Sequence, residues 1–172
     1  LLKEAAPGTT RIAVLLDSKN LAHAKMWNAI EQASQALGVR TVARDVRGPD
    51  AISVAFSAMA ADKVDAIILL PDPAFGANLR RIAALAGAQR LPAIAVLREF
   101  PLAGGLMSYG PNYNEMFKTA ATMAARIMKG EKAGAIAVAT PAPELVISQR
   151  NARTLVVTIP PSVVAKAKEV QM

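Results

Sequence analysis

Reactive side chains are scarce in this 172-residue chain, which contains no cysteine and a single histidine, His23. The lack of cysteine excludes disulfides, cysteine nucleophiles and thiolate metal sites. One histidine, inside a predicted helix and without a carboxylate at ligand spacing, argues against a Ser-His-Asp triad and against zinc chemistry. We therefore predict no catalytic residues, no metal site and no cofactor, and His23 is expected to be an ordinary surface or core residue.

Aromatic residues and long apolar runs are also few. Aromatics make up 4% of the chain, too few for a surface that stacks nucleic acid bases. The net charge of +7 comes from basic residues that are scattered, with pairs such as Arg80–Arg81 as the densest spots, which favours a solvated basic surface over a nucleic acid site. No stretch of about 18 apolar residues is present, so no membrane span is expected.

Glycine-rich phosphate motifs are absent from the places where they would be needed. The turn after the first predicted strand reads LLDSKN, without the glycines of a dinucleotide fingerprint. The stretch GGLMSYGPNYNEMF at 104–117 has glycines, but no Lys or Ser follows them as in a Walker loop, and no Gly-x-Ser-x-Gly elbow occurs. We interpret this stretch as a strand that turns into a helix beginning near Asn112.

Buried-strand patterns alternate with amphipathic helix patterns through the first hundred residues. Strands are predicted at 11–17, 39–46, 64–70 and 91–97, and helices at 18–38, 48–63 and 71–90. The apolar faces of these helices are predicted as Met26, Ile30, Ala33 and Leu37; Ile52, Phe56 and Met59; and Phe75, Leu79, Ile82 and Leu85. Continuous apolar strands joined by helices predict an α/β fold with a doubly wound, mainly parallel sheet between two helical layers.

The last third of the chain has a different organisation. A helix over 112–130 is predicted to carry a wide apolar face that includes Met116, Phe117 and Met123. Residues 131–143 are predicted as a loop or linker and 144–150 as a fifth strand. The final segment is predicted as a turn of helix, a proline break and a last helix.

Candidate binding residues follow the predicted strands, because ligands in open parallel sheets bind beyond the carboxyl ends of the strands. Arg47 follows the second strand, and the predicted ligand-binding residues are Asp17, Ser18, Asn20, Asp72, Phe75, Arg98, Glu99, Phe100, Ser108 and Tyr109. Polar, charged and aromatic groups together suit a small polar or zwitterionic molecule, and no base adjoins a nucleophile. Each residue also has an ordinary alternative: helix caps for Asp17 and Asn20, a turn for Asp72, and the core for Phe75.

Two longer segments carry a family resemblance, REFPLAGGLMSYGPN and ELVISQRNARTLVVTIPPSVVAKAKEV, supported by PGTTRIAVLLDSKN and VRGPDAISVAFSAMAADKVDAIILLPDP. Together they resemble the ABC transporter substrate-binding proteins related to the tryptophan-binding TrpX type. The resemblance implies a periplasmic binding protein of type I, with a small ligand, such as an aromatic amino acid, between two α/β lobes, and a permease as partner.

The resemblance also implies a domain organisation. Because the family begins with a signal peptide and a first lobe, we expect this sequence to be the second lobe of a longer, periplasmic protein. Residues 1–110 would form the core lobe, 111–143 a crossover helix and linker that contact the first lobe, and 144–172 a strand and helix that return. An uncovered 112–130 helix could alternatively form a homodimer.

Two other classes stay open at this stage. The effector-binding domain of a LacI-type transcription regulator would share the type I fold. A small α/β enzyme with a flavodoxin-like or methyltransferase-like sheet is disfavoured by the missing glycine loop and the missing histidine–carboxylate pair.

Overall fold

A seven-stranded sheet forms the centre of the protein in a computed structural model that describes residues 1–172. The strands are β1 Arg11–Leu16, β2 Arg40–Asp45, β3 Ala66–Leu69, β4 Ala93–Ala95, β5 Met107–Pro111, β6 Pro143–Ser148 and β7 Glu169–Gln171. Their order in the sheet is β2-β1-β3-β4-β5-β6-β7. β1 to β5 are parallel, β6 is antiparallel to β5, and β7 is parallel to β6. The predicted mainly parallel sheet is confirmed.

Nine helices connect and cover these strands. They are α1 Leu2–Ala5, α2 Leu21–Ala36, α3 Asp50–Ala61, α4 Pro73–Gly76, α5 Leu79–Ala88, α6 Glu99–Leu102, α7 Tyr113–Met128, α8 Gln149–Thr154 and α9 Pro161–Val164, with a single 3-10 turn at Ala133–Ala135. None of them combines the length and the hydropathy that crossing a bilayer requires.

The sheet is buried on both faces, which gives the three-layer arrangement. Along β1, Ala13 and Leu15 pack in one core cluster with α3 and α5. Ile12, Val14 and Leu16 point to the other face, where Trp27 of α2 packs. This alternation follows from the two-residue period of a strand, and it explains why β1 is apolar at nearly every position.

The predicted core faces of α3 and α5 are correct, but that of α2 is correct only at Ile30, which is partly buried against the sheet. Ile52, Phe56 and Met59 of α3 are buried, as are Phe75, Leu79 and Ile82 of the α4–α5 region, with Leu85 partly buried. In α2, by contrast, Met26 and Leu37 are exposed and Ala33 lies on the solvent side. The buried positions are His23 and Ser34. Helical spacing identified the helix, but two polar residues on the inner face hid its orientation.

The C-terminal segment also differs from the prediction of a final helix. After the prolines at 160 and 161 the chain makes the single turn α9 and then extends as β7. β7 pairs with the otherwise open edge of β6, and the Lys168 N–H donates to the Leu145 carbonyl at 2.8 Å. Pairing at a free sheet edge satisfies backbone groups that a short surface helix would leave to water.

Two glycines in the 104–117 stretch permit close packing rather than anion binding. A Cβ atom on Gly105 would clash with the Phe100 ring, and one on Gly110 would clash with the Val96 carbonyl oxygen. Gly110 and Pro111 belong to β5, so the chain turns only at Asn112, whose side chain caps α7. The predicted transition from a strand to a helix that begins near Asn112 is thus confirmed.

Buried Asn151 fixes the start of this stretch. Its side-chain Nδ2 donates to the carbonyls of Pro101 at 2.9 Å and Gly105 at 2.7 Å. Both bonds are buried, so this one amide group joins α8 to α6 and to the segment that leads from α6 into β5.

Helix α7 projects from this core. None of its residues is buried, and Phe117 and Met128 are 70% and 88% exposed. The predicted apolar face is therefore present and lies open to solvent.

Candidate functional site

The carboxyl ends of β1 and β3 meet at the point where the sheet changes its direction of growth. The chain moves from β1 outward to β2 and then returns past β1 to β3, so the loops after β1 and β3 leave toward opposite faces. Such a switch point leaves a crevice between the two loops, which is the usual ligand position in open α/β sheets. The loop after β1 carries Asp17 to Asn20, and the loop after β3 carries Pro71 and Asp72.

Asn20 and Asp72 join these two loops directly. Asn20 Oδ1 accepts the Ala22 N–H at 3.1 Å and caps α2, which directs Nδ2 toward Asp72 Oδ2 at 3.1 Å. The other Asp72 oxygen accepts the Ala74 N–H at 2.9 Å and caps α4. The cap predicted for Asn20 is confirmed, whereas Asp72, predicted as a turn residue, is the N-cap of α4, and the structure adds the bond between the two side chains.

His23 lies beneath this pair, although the sequence had given it no role in the site. The side chain is 1% exposed and its ring stacks on Phe75, with centroids 6.4 Å apart and planes 12° apart. The Asp17 N–H donates to Nδ1 at 2.9 Å, and Nε2 lies 3.1 Å from the Pro71 carbonyl oxygen. Its position three residues after the cap Asn20, on the inner turn of α2, is the signal that could have indicated it.

Asp17 retains an oxygen for an external partner. Its Oδ1 accepts the Lys19 N–H at 2.8 Å in an Asx turn, while Oδ2 accepts no hydrogen bond and the carboxylate forms no ion pair. The side chain is half-buried at the mouth of the crevice. It therefore offers a negative charge with one acceptor uncommitted.

Ser18 belongs to a different cluster, at the outer side of β1. Its N–H and hydroxyl donate to Asp45 at 2.8 and 2.9 Å, and Arg47 donates to the Ser18 hydroxyl oxygen at 2.6 Å. Partial burial raises the pKa of Asp45, but the two Ser18 hydrogen bonds and Arg47 lower it by more, so the pKa lies below its ordinary value of 3.8.

The two predicted phenylalanines lie in the core. Phe75 is 1% exposed and Phe100 is fully buried, both within the cluster that packs α3 and α5 on the sheet. Phe75 supports the ring of His23 from below, and Phe100 packs against Gly105. In this structure both side chains shape the loops from inside rather than facing solvent.

The remaining predicted residues lie further along the same edge. Arg98 pairs with Glu169 of β7 at 2.5 Å, and Glu99 is exposed at the start of α6. Ser108 is buried beside Ala95, the last residue of β4, whereas Tyr109 is 43% exposed. The structure thus brings Asn20, Asp72 and Phe75 together around His23. Ser18 instead bonds to the Asp45–Arg47 ion pair, and Arg98 forms its own ion pair with Glu169.

The side chains at this edge offer hydrogen-bonding groups and an aromatic surface. No hydroxyl is hydrogen-bonded to His23, and no three histidine, aspartate or glutamate side chains converge in a way that could hold a metal ion. A carboxylate with an uncommitted oxygen and an exposed phenol ring can accept hydrogen bonds and offer a flat contact surface.

An apolar groove of about 490 Å³ lies elsewhere, between α7 and the segment 133–141. Met116, Met123 and Ile127 line one wall, and Ile136 and Val138 line the other. The groove contains no charged side chain, so it suits apolar protein surface better than a zwitterion.

Solved structures with the same fold come from several bacteria. A conserved domain protein from Vibrio cholerae matches with a TM-score of 0.85 and 23% identity over 99% of this chain and 57% of its own. An ABC-domain protein from Streptococcus pneumoniae, solved in complex with L-Trp, matches with a TM-score of 0.86 and 22% identity over 99% and 58%. A ligand-free, open substrate-binding protein with adhesive properties from Clostridium difficile gives 0.74 and 20% over 100% and 58%.

These structural similarities confirm the fold. This chain spans less than three fifths of the length of each of the three solved chains. No curated protein matches the sequence significantly. The family model of the ABC transporter substrate binding proteins matches residues 1–171, nearly the whole chain. The chain therefore belongs to the ABC transporter substrate-binding protein family.

Proposed function

We propose that this chain acts in the solute-binding component of a bacterial ABC importer, which holds a small molecule in the periplasm and delivers it to a permease. Family membership supports the solute-binding role and favours it over the effector domain of a LacI-type regulator. The ligand class is an amino acid with an aromatic side chain, an assignment supported by the similar Streptococcus pneumoniae protein in complex with L-Trp. The action is binding and release, without catalysis.

The uncommitted oxygen of Asp17 carries the proposal for the site. An amino acid presents an ammonium group with three donors, and a half-buried carboxylate binds such a group more strongly than a neutral acceptor does. Asp17 lies at the switch point of the sheet, where the loops after β1 and β3 diverge. It is therefore the residue that we assign to the ligand ammonium.

The other predicted residues divide into contact and support. Tyr109 is the exposed aromatic side chain at this edge and suits contact with an aromatic ligand. Arg98 is 30% exposed and can reach a ligand carboxylate while it pairs with Glu169. Asn20 and Asp72 already bind each other and cap their own helices, so their role is to hold the two loops.

A second surface is needed to enclose the ligand, and α7 provides a place for it. We propose the organisation expected from the sequence: residues 1–110 as the core of one lobe, 111–143 as a crossover that packs on a second lobe, and 144–172 as the return. The exposed apolar side chains of α7 and the neighbouring groove supply the contact surface. A ligand that contacts both lobes shifts the open–closed equilibrium, and the permease distinguishes the two states.

Calorimetric titration with L-tryptophan tests the site in the complete protein that contains this chain. Asp17→Asn should weaken binding about tenfold or more, because a hydrogen bond to a charged group contributes about 1.5–3 kcal/mol. The substitution keeps an oxygen for the Lys19 N–H and therefore preserves the turn. Glu31→Gln is the matched control, since it removes one charge from α2 near the opposite edge of the sheet. Equal affinity in Asp17→Asn and wild type would contradict the assignment.

A further inference from the structure

The single histidine of the chain occupies a position that its burial alone does not explain. His23 is 1% exposed, yet both ring nitrogens lie within hydrogen-bond distance of backbone groups in two different loops. Asp17 belongs to the loop after β1, and Pro71 belongs to the loop after β3. A residue that served only to fill the core would need neither contact.

The two backbone partners determine where the imidazole proton resides. An amide N–H can only donate, so Nδ1, 2.9 Å from the Asp17 nitrogen, must be the unprotonated acceptor. A carbonyl oxygen can only accept, so Nε2, 3.1 Å from the Pro71 oxygen, must carry the hydrogen. His23 is therefore the neutral Nε2–H tautomer, fixed by one bond on each side.

The neighbouring amide fits this tautomer. Asn20 Nδ2 approaches His23 Nε2 to 3.4 Å, but both groups are donors, so this approach is not a hydrogen bond. The Asn20 amide instead donates to Asp72 Oδ2 at 3.1 Å. Asp72 Oδ2 lies 3.9 Å from Nε2, outside hydrogen-bond distance. Each polar group beneath the crevice then has one consistent role.

We infer that His23 is a positioning residue, which fixes the relative placement of the Asp17 and Asp72 loops at the switch point of the sheet. The bond at Nδ1 holds the backbone from which the Asp17 carboxylate projects, and the bond at Nε2 holds the residue before Asp72. Stacking on Phe75 keeps the ring plane aligned with both partners. The ligand-related part of this inference rests on the proposed function, whereas the loop geometry does not.

Side-chain chemistry explains why the position needs histidine. Asparagine can place an acceptor near Nδ1 but cannot reach Pro71, and glutamine can place a donor near Nε2 but cannot also serve Asp17. Phenylalanine preserves the ring and its stacking but leaves the partly buried Asp17 N–H and the partly buried Pro71 C=O without the imidazole as partner. His23→Asn therefore removes the bond to Pro71, His23→Gln removes the bond to Asp17, and His23→Phe removes both.

NMR spectroscopy of the 172-residue chain tests the inference without a ligand, and the single histidine makes the signal unambiguous. The imidazole nitrogen shifts should show an unprotonated Nδ1 and a protonated Nε2, with a coupling across the hydrogen bond from the Asp17 amide. An Nδ1–H tautomer or an imidazolium at neutral pH would overturn the inference.

The variants give a second, independent readout. His23→Phe should shift and expose to exchange the amides of both loops, 17–20 and 71–74, whereas His23→Asn should disturb mainly 71–74 and His23→Gln mainly 17–20. Ser34→Ala removes another buried polar side chain of α2 and should leave both loops unchanged. A folded His23→Phe variant with wild-type amides in both loops would refute the positioning role. If His23→Phe does not fold, the tautomer and the two single-bond variants decide the question.

Ligand affinity separates the two proposals. In the complete protein, His23→Phe should weaken L-tryptophan binding about tenfold, the order seen when partners that orient binding residues are removed. Unchanged affinity in this variant would contradict the ligand-related part of the inference. Absence of binding by the wild type would refute the proposed ligand, and the NMR readouts would still decide the role of His23 in the loops.

Discussion

Replacement of Asn20 by alanine should destabilise the protein far more than the same replacement at another helix cap. The Asn20 side chain makes two different bonds: Oδ1 caps α2 through the Ala22 N–H, and Nδ2 donates to the Asp72 carboxylate. Loss of an asparagine cap costs about 1 kcal/mol. Loss of a hydrogen bond to a charged group costs about 1.5–3 kcal/mol. With partial exposure of the pair taken into account, we expect Asn20→Ala to lower the free energy of unfolding by about 2–3 kcal/mol.

Asn112 provides the comparison, because it also caps a 16-residue helix and its amide also donates to a carboxylate, that of Glu144, at a longer distance of 3.3 Å. Its side chain accepts the Glu115 N–H at 3.4 Å, a longer bond than the 3.1 Å bond of Asn20. None of the residues of α7 is buried, so fraying of its first turn exposes little apolar surface. Asn112→Ala loses two bonds that are each longer than the corresponding bond of Asn20, and should therefore lower the global free energy of unfolding by about 1 kcal/mol or less.

Urea denaturation measures both variants, with the fluorescence of Trp27, the single tryptophan and a residue of α2, as the probe. Asn20→Ser separates the two bonds, since its hydroxyl keeps the cap but cannot reach Asp72, and it should cost about 1–2 kcal/mol. Equal midpoints for Asn20→Ala and Asn112→Ala would refute the link between the loops. A wild-type midpoint for Asn20→Ser would show that the bond to Asp72 contributes nothing.

Three further predictions concern the rest of the molecule. Asn151→Ala leaves the buried Gly105 carbonyl without a donor and leaves the Pro101 carbonyl with the Gly104 N–H alone, so it should lower stability in urea by about 2–4 kcal/mol. Asn28→Ala on the exposed side of α2 should change stability by less than about 0.5 kcal/mol, and similar losses for both variants would contradict the role of the amide. Val156 has a φ of 58° and a side chain 76% exposed, so Val156→Gly should raise stability by about 0.5–1 kcal/mol, and a loss would show that the left-handed conformation carries no cost there. The pKa of Asp45 is lowered in the folded state, so its carboxylate stabilises the fold above pH 3.8 and this contribution is lost as the pH falls through the lower, folded-state pKa. The difference in unfolding free energy between wild type and Asp45→Asn should therefore shrink in acid. A difference that stays constant with pH would contradict the lowered pKa.

The class of the fold was predictable because its signals are local and repeated. The apolar runs at 11–17 and 64–70 are typical of strands that are covered on both faces. Helix α3 carries the buried residues Ile52, Phe56 and Met59 at helical spacing. The face of α2 was not predictable in this way, because His23 and Ser34 are buried by tertiary hydrogen bonding and packing, not by hydropathy. β7 was missed because three residues pair with an edge that forms only after the sheet has assembled.

The candidate site shows the same division. The rule that ligands bind beyond the carboxyl ends of strands placed Asp17, Asn20 and Asp72 at one edge, and the structure brings their loops together. No local pattern indicates which of their oxygens are already committed, because that depends on partners about fifty residues away in sequence. For the same reason the sequence could not show that Phe75 and Phe100 point into the core, or that His23 joins the two loops.

A crystal structure of the complete protein with L-tryptophan tests the central claim most directly. The account predicts that the ligand lies at the carboxyl edge of the sheet, with its ammonium group within hydrogen-bond distance of the Asp17 carboxylate and its ring near Tyr109. Ligand bound in the groove between α7 and residues 133–141, or bound elsewhere without contact to Asp17, would contradict it.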